Sequence, residues 1–193
     1  ANLSTAAVSA HLVLHLTDIG IPDIKAAGVI PIFVGVSFFA QLLAGYLGDR
    51  IDKRYMLSVS ILIQASSMII LAYATSYGGA VLFAILWGVG FGSRTPVLHA
   101  LRGDYFGSRY FGSILGISSF PMIVGMTATP VLVGLAFDLQ GTYRWAFLFT
   151  ATTAFISAGL ILFAGRPVRP QRNAVPNIQP VAGASASQAV TGE

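Results

Sequence analysis

The sequence contains no cysteine, so disulfides, thiolate metal sites and cysteine nucleophiles are excluded from the outset. Charge is nearly as scarce. Among 193 residues there are 11 Lys and Arg and 7 Asp and Glu, 9% of the chain. Soluble domains carry about a quarter charged residues, so water cannot solvate this surface as it does that of a cytosolic enzyme. The pI of about 9.7 reflects sparse charge rather than a basic patch, which excludes a nucleic-acid binder. Apolar residues fill the gap: 55% of the chain is hydrophobic and mean hydropathy is +0.76. The solvent this composition calls for is lipid.

The uncharged intervals set the architecture. They run over 26–48, 55–93, 110–137 and 145–165, or 23, 39, 28 and 21 residues. A helix rises ~1.5 Å per residue, so ~20 residues cross a ~30 Å hydrocarbon core. The 39-residue interval therefore reads as two crossings joined by a tight turn at Thr75-Ser76-Tyr77-Gly78-Gly79. Ala1–Thr17 is a shorter uncharged stretch without the basic start of a signal peptide, and reads as the truncated end of a further helix. Six helices are expected, over roughly 1–17, 24–48, 55–76, 79–101, 109–137 and 143–165, because a helix satisfies its own backbone in lipid. The alternating short strands of a membrane barrel are not visible. The fold class is thus all-α integral membrane: a six-helix bundle over 1–165, then a disordered tail over 166–193. That tail opens on Arg166, Arg169 and Arg172 and continues in Pro, Ala, Ser and Gln.

Basic residues in alternate loops give the orientation. Arg50, Lys53, Arg54, Arg102, Arg109, Arg166, Arg169 and Arg172 fall on one side, against Lys25 and Arg144 on the other. The basic loops and the C-terminus are therefore placed in the cytoplasm, the membrane being a plasma or inner membrane. Gly88-x3-Gly92 and Gly112-x3-Gly116 put small residues one turn apart, which lets helices approach closely. Pro31, Pro96, Pro121 and Pro130 lie within spans or at their ends. They suit a bundle that changes shape, and equally they are prolines a membrane helix tolerates.

One loop carries a pattern: Gly45-Tyr46-Leu47-Gly48-Asp49-Arg50-Ile51-Asp52-Lys53-Arg54. It resembles the G-x-L-x-D-R-x-x-[KR]-[KR] signature of the major facilitator superfamily, whose second copy lies on the cytoplasmic side between helices eight and nine. Gly103-Asp104-Tyr105-Phe106-Gly107 with Phe111-Gly112-Ser113-Ile114-Leu115-Gly116 is similar to a stretch of that family's monocarboxylate and oxalate/formate branch. So are Phe137-Asp138 with Gly141-Thr142-Tyr143-Arg144, and the segment from His11 to Gly20. The resemblance implies the C-terminal six-helix half of a twelve-helix transporter, its partners being membrane lipid and the N-terminal half. It also implies a conformational latch at Gly45, Gly48, Asp49, Arg50, Lys53 and Arg54, with Asp104 counted alongside. Here the two glycines permit close helix contact, Asp49 favours a neighbouring helix start, and the cations pair with carboxylates or lipid phosphates. The same cluster is also an ordinary basic topology anchor.

Arg94 is the charge that falls inside a span. A guanidinium there costs at least ~2.5 kcal/mol and usually faces the protein interior or a watery cavity. It lies 15 residues past Gly79, or about 22 Å along the helix, and its planar fork suits a carboxylate. The alternative is a partner inside the protein: helix-end carbonyls, or a carboxylate from the other half. His11 and His15 share a helix face, with Asp18 beyond them. They either bind an anion or relay protons, or simply make hydrogen bonds at the outer interface. A zinc site has no third ligand nearby. Ser37 and Gln41 form a polar stripe with Gly45 that is expected to face the bundle, for substrate or for packing. Gln64, Ser66 and Ser67 read as glue between helices. The acidic–basic pair typical of animal monocarboxylate transporters is missing from span 2, where nothing between Lys25 and Asp49 is charged, so proton coupling by that route is not expected.

These residues point to secondary active transport, by symport or antiport, of a small organic anion. The substrate-binding candidates are Arg94, His11, His15, Ser37 and Gln41. No cofactor, metal set or catalytic triad is called for, and an enzyme is not expected. The competing class is a receptor or assembly subunit on a transporter-like scaffold; a homodimeric half-transporter is a third.

Overall fold

The computed structural model describes residues 2–48, 50–106 and 111–163. Among these residues six helices follow one another: α1 (Asn2–Asp18), α2 (Asp23–Gly48), α3 (Lys53–Tyr73), α4 (Tyr77–Phe106), α5 (Phe111–Gln140) and α6 (Arg144–Phe163). Among the described residues there is no strand. α2 to α6 are each long and apolar enough to cross a membrane. α1, at 17 residues, is the shortest helix. The expected tail over 166–193, together with Asp49 and Arg109, lies outside the described residues.

Local chemistry sets the helix ends. α1 stops at Gly20, whose φ of 86° is the left-handed conformation that glycine adopts freely. The Gly20 N–H donates to the Thr17 carbonyl at 2.9 Å and the Ile21 N–H to Leu16 at 3.0 Å, a Schellman ending. Gly141, at φ 66°, ends α5 in the same region, donating to Phe137 at 2.7 Å. Asp52 caps α3 by accepting from the Arg54 N–H at 3.0 Å.

The turn before α4 differs from the sequence reading. It is formed by Ala74, Thr75 and Ser76, while Gly78 and Gly79 lie in the first turn of α4. Ser76 caps that helix, its hydroxyl accepting from the Gly79 N–H at 3.4 Å, so a helix cap takes the place of the Gly-Gly bend. α4 also runs past the expected 101 to Phe106, because a helix leaving the hydrocarbon layer can continue with charged residues in water.

Packing centres on α4. Its Gly88 and Gly92 face α2: a Cβ on Gly88 would lie 2.7 Å from the Phe33 carbonyl oxygen, and one on Gly92 would overlap the backbone of Ser37. Gly90 faces α3 instead, where a Cβ would come within 2.8 Å of the Ser60 carbonyl oxygen. Two adjacent helices thus rest on one glycine-lined helix. The other pair, Gly112 and Gly116, has nothing within 4 Å, and neither have Gly45 and Gly48. The close contact expected at those four is absent among the described residues.

α3 packs in turn on α6, and α1 on α5. Trp87, Phe83, Phe147, Leu16 and Met68 are fully buried in one apolar cluster; Leu57, Ile61, Ala65, Val97 and Ala158 form a second. The two basic residues of the sparsely charged side lie over tyrosine rings, Arg144 on Tyr73 at 3.9 Å and Lys25 on Tyr77 at 5.9 Å. α2 and α5 remain open. Only 11% of the most apolar stretch of each is buried, against 56% for α3.

Candidate functional site

Arg94 is carried on α4 two residues after Gly92, and it turns toward α1 rather than α2. Its side chain is 7% exposed. Nη1 donates to the Asn2 side-chain oxygen at 2.9 Å, and the guanidinium carbon lies 5.6 Å from the centre of the Phe91 ring. Nε is buried without a hydrogen-bond partner among the described residues. The ion pairs found there lie elsewhere, between Lys53 and Asp104 and between Arg54 and Asp52. Arg94 is thus a buried cation held by a neutral amide and an aromatic face. Neither partner discharges it.

The histidines occupy a different place. His11 lies nine residues beyond Asn2, about 13 Å farther along α1. Its Nε2 is 3.0 Å from the Pro130 carbonyl oxygen, and His15 Nε2 is 3.1 Å from that of Leu71. A carbonyl only accepts, so both Nε2 atoms carry the proton and donate. Both rings pack on Tyr143, at 5.2 and 5.9 Å between centres, and Tyr143 stacks on Phe137 at 4.2 Å. Both rings are thus held by main-chain hydrogen bonds and aromatic packing between helices. Among the described residues no three His, Cys, Asp or Glu side chains gather as metal ligands.

The polar stripe of α2 is not gathered in with the rest. Ser37 gives its hydroxyl to the Val34 carbonyl at 2.8 Å, and its backbone lies against Gly92. Gln41 and Gly45 are exposed, on the open side of α2 and not against the bundle. Gln64 is 0% exposed, yet neither end of its amide has a partner among the described residues. Ser66 is exposed. Ser67 bonds within α3, to the Gln64 carbonyl at 2.7 Å. The hydroxyl bond that does join α3 and α4 is Ser93 to Ser60, at 2.8 Å.

In the signature loop, Lys53 at the start of α3 pairs with Asp104 near the end of α4 at 2.7 Å. Arg54 pairs with Asp52 at 3.2 Å, and Arg50 lies 4.5 Å over the Tyr46 ring. Asp52 went unremarked in the sequence as both cap and counter-ion, although an Asp directly before a helix start is a recognisable capping signal. Asn2 and Ser4 were passed over too. Ser4 donates to the Thr150 carbonyl at 3.2 Å. With Asn2, His11 and His15 it completes a set in which α1 bonds to α4, α6, α5 and α3 in turn.

A cavity of about 270 Å³ opens between α1, α5 and α6, bordered by Leu3, Val133, Trp145 and Phe149. Its few polar borders are Thr129, Gln140 and Thr150. None of the residues lining it is charged.

Comparison with known proteins agrees with this architecture. Residues 1–190 match the Major Facilitator Superfamily. Monocarboxylate transporter 2 of Mus musculus is 23% identical over 155 residues, covering 78% of this chain and 32% of the transporter. Monocarboxylate transporter 4 of Mus musculus is 25% identical over 158 residues, 80% of this chain and 33% of that protein. Monocarboxylate transporter 2 of Homo sapiens is 27% identical over 158 residues, with the same coverage of 80% and 33%. The chain spans about a third of the length of these curated relatives. With six helices in succession and a match along nearly its whole length, the chain belongs to the major facilitator superfamily, as an integral membrane protein with the helices of half such a fold.

Proposed function

We propose that this chain forms one half of a secondary active transporter that moves a small carboxylate by alternating access, with Arg94 as the anion-binding residue. The observation that carries the reading is the state of Arg94: buried, and without a carboxylate partner among the described residues. A buried cation is expensive unless a counter-ion comes to it, and a diffusing carboxylate is such a counter-ion. The kinship with monocarboxylate transporters supports the same chemistry. In this reading the open faces of α2 and α5 meet a second six-helix half, and the site forms near the midplane between the halves. Lys53 and Asp104 tie α3 to α4 on the cytoplasmic side as part of a latch with Gly45, Gly48, Asp49, Arg50 and Arg54. The C-terminus lies in the cytoplasm, and the membrane is the plasma or inner membrane.

The test is uptake of a radiolabelled small monocarboxylate by the full-length protein in proteoliposomes. Arg94→Gln should raise apparent KM or abolish uptake, because charge-assisted hydrogen bonds contribute about 1.5–3 kcal/mol, roughly ten- to a hundredfold. Arg94→Lys keeps the charge and loses the fork, and should fall between. Uptake unchanged in both variants would remove Arg94 from the site.

A further inference from the structure

The structure assigns Asn2 a role in selectivity: we propose that its neutral amide holds the Arg94 guanidinium in position without neutralising it, so that the site accepts a single negative charge. The inference rests on the anion-binding reading of Arg94 and adds to it a residue on a different helix. Nη1 of Arg94 is 2.9 Å from the Asn2 side-chain oxygen, which ties the guanidinium to α1. Asn and Asp have the same size and shape, and both present an oxygen to Nη1. They differ in charge, and in the second terminal group, an NH2 donor in Asn and an acceptor oxygen in Asp.

An Asp at position 2 would make the stronger bond to Arg94, yet it would leave the site with no net charge for an incoming carboxylate. Among the described residues no carboxylate pairs with Arg94. Phe91 offers only its ring face, and the carboxylates of Asp104 and Asp52 are engaged with Lys53 and Arg54. The buried Nε, still without an acceptor among the described residues, marks hydrogen-bonding capacity that Asn2 does not use.

A purely structural link and a charge-preserving one predict opposite orders of damage. If Asn2 only glues α1 to α4, Asn2→Asp keeps or strengthens the link and Asn2→Ala is the worse variant. If Asn2 keeps Arg94 charged toward the substrate, Asn2→Asp is the worse variant and Asn2→Ala the milder. The experiment measures KM and Vmax for a radiolabelled small monocarboxylate in proteoliposomes of the full-length protein, for Asn2→Asp, Asn2→Ala, Asn2→Ser and Arg94→Gln. The amount of inserted protein is quantified for each.

The expected result is a KM raised at least about tenfold in Asn2→Asp, the loss of ~1.4 kcal/mol of anion binding. Asn2→Ser, a smaller neutral acceptor, should stay within about threefold of the parent, with Asn2→Ala between the two. An unchanged KM in Asn2→Asp, or a greater loss in Asn2→Ala, overturns the proposal. Should Asn2→Asp fail to insert, the neutral pair decides: KM near the parent in Asn2→Ser supports the proposal, and a tenfold rise in both Asn2→Ser and Asn2→Ala overturns it. Arg94→Gln separates the two levels. Full uptake there sinks the anion-binding reading itself, whereas lost uptake there beside an unaffected Asn2→Asp sinks only the role of Asn2.

Discussion

Gln64 shows what a single polar side chain costs inside a membrane bundle. Its backbone carbonyl is used by Ser67, but its amide is fully buried with both ends unpartnered among the described residues. Desolvating such a group without a partner costs about 1–3 kcal/mol. Gln64→Leu, close in volume and apolar, should therefore raise the melting temperature of the detergent-purified protein by a few degrees. A lower melting temperature would mean that the amide makes a bond worth keeping. The residue scale is also where the sequence is hardest to read. Arg94 stood out because a lone charge in an apolar run is conspicuous in any alphabet. The partners of the histidines could not stand out, because they are the main-chain carbonyls of Pro130 and Leu71, a group that every residue possesses. Asn2 was invisible as a partner for Arg94 because the two are 92 positions apart and no periodicity links them.

At the scale of the helix, spacing is informative about shape and silent about neighbours. Gly88-x3-Gly92 and Gly112-x3-Gly116 are the same motif, yet among the described residues only the first meets another helix within 4 Å of where its Cβ atoms would stand. The pattern says that a flat strip exists; the packing of α2 on α4 says which strip is used. Gly92→Val should destabilise the bundle by about 3 kcal/mol or more, since the new side chain would collide with backbone at Ser37 that has no rotamer to yield. Gly116→Ala should be tolerated, having open space at that position and a better helix former in place of glycine. Size-exclusion chromatography after stepwise heating reads both. Equal tolerance of the two substitutions would contradict the tight α2–α4 crossing. The same limit explains the turn before α4: two glycines suggested the bend, whereas the hydroxyl of Ser76 makes the cap.

For the whole molecule, the sequence was most legible. Runs without charge reproduced all six helices, since a chain in lipid cannot carry ionised groups through the hydrocarbon and its backbone has few alternatives to a helix. The helix ends were less legible, because α4 keeps its hydrogen bonding past the uncharged run, through Arg102 and Asp104 to Phe106, and burial could not be read at all. α2 and α5 are as apolar as α3 but largely exposed, and composition cannot tell a surface facing lipid from one facing another subunit. Orientation can be checked directly. The chain has no cysteine, so Lys25→Cys and Arg50→Cys, both exposed, introduce one label each into it. In right-side-out cells a membrane-impermeant maleimide should modify position 25 and spare position 50 until the membrane is opened. The reverse pattern would invert the topology.

The seating of α1 has a kinetic corollary. Four of its polar ties reach four different helices, and each depends on register. A slide of α1 by one turn, about 5.4 Å, would exceed the reach of every one of them together. Intermediate positions would keep none of the bonds and gain none in return, so this rod should hop between discrete berths rather than drift.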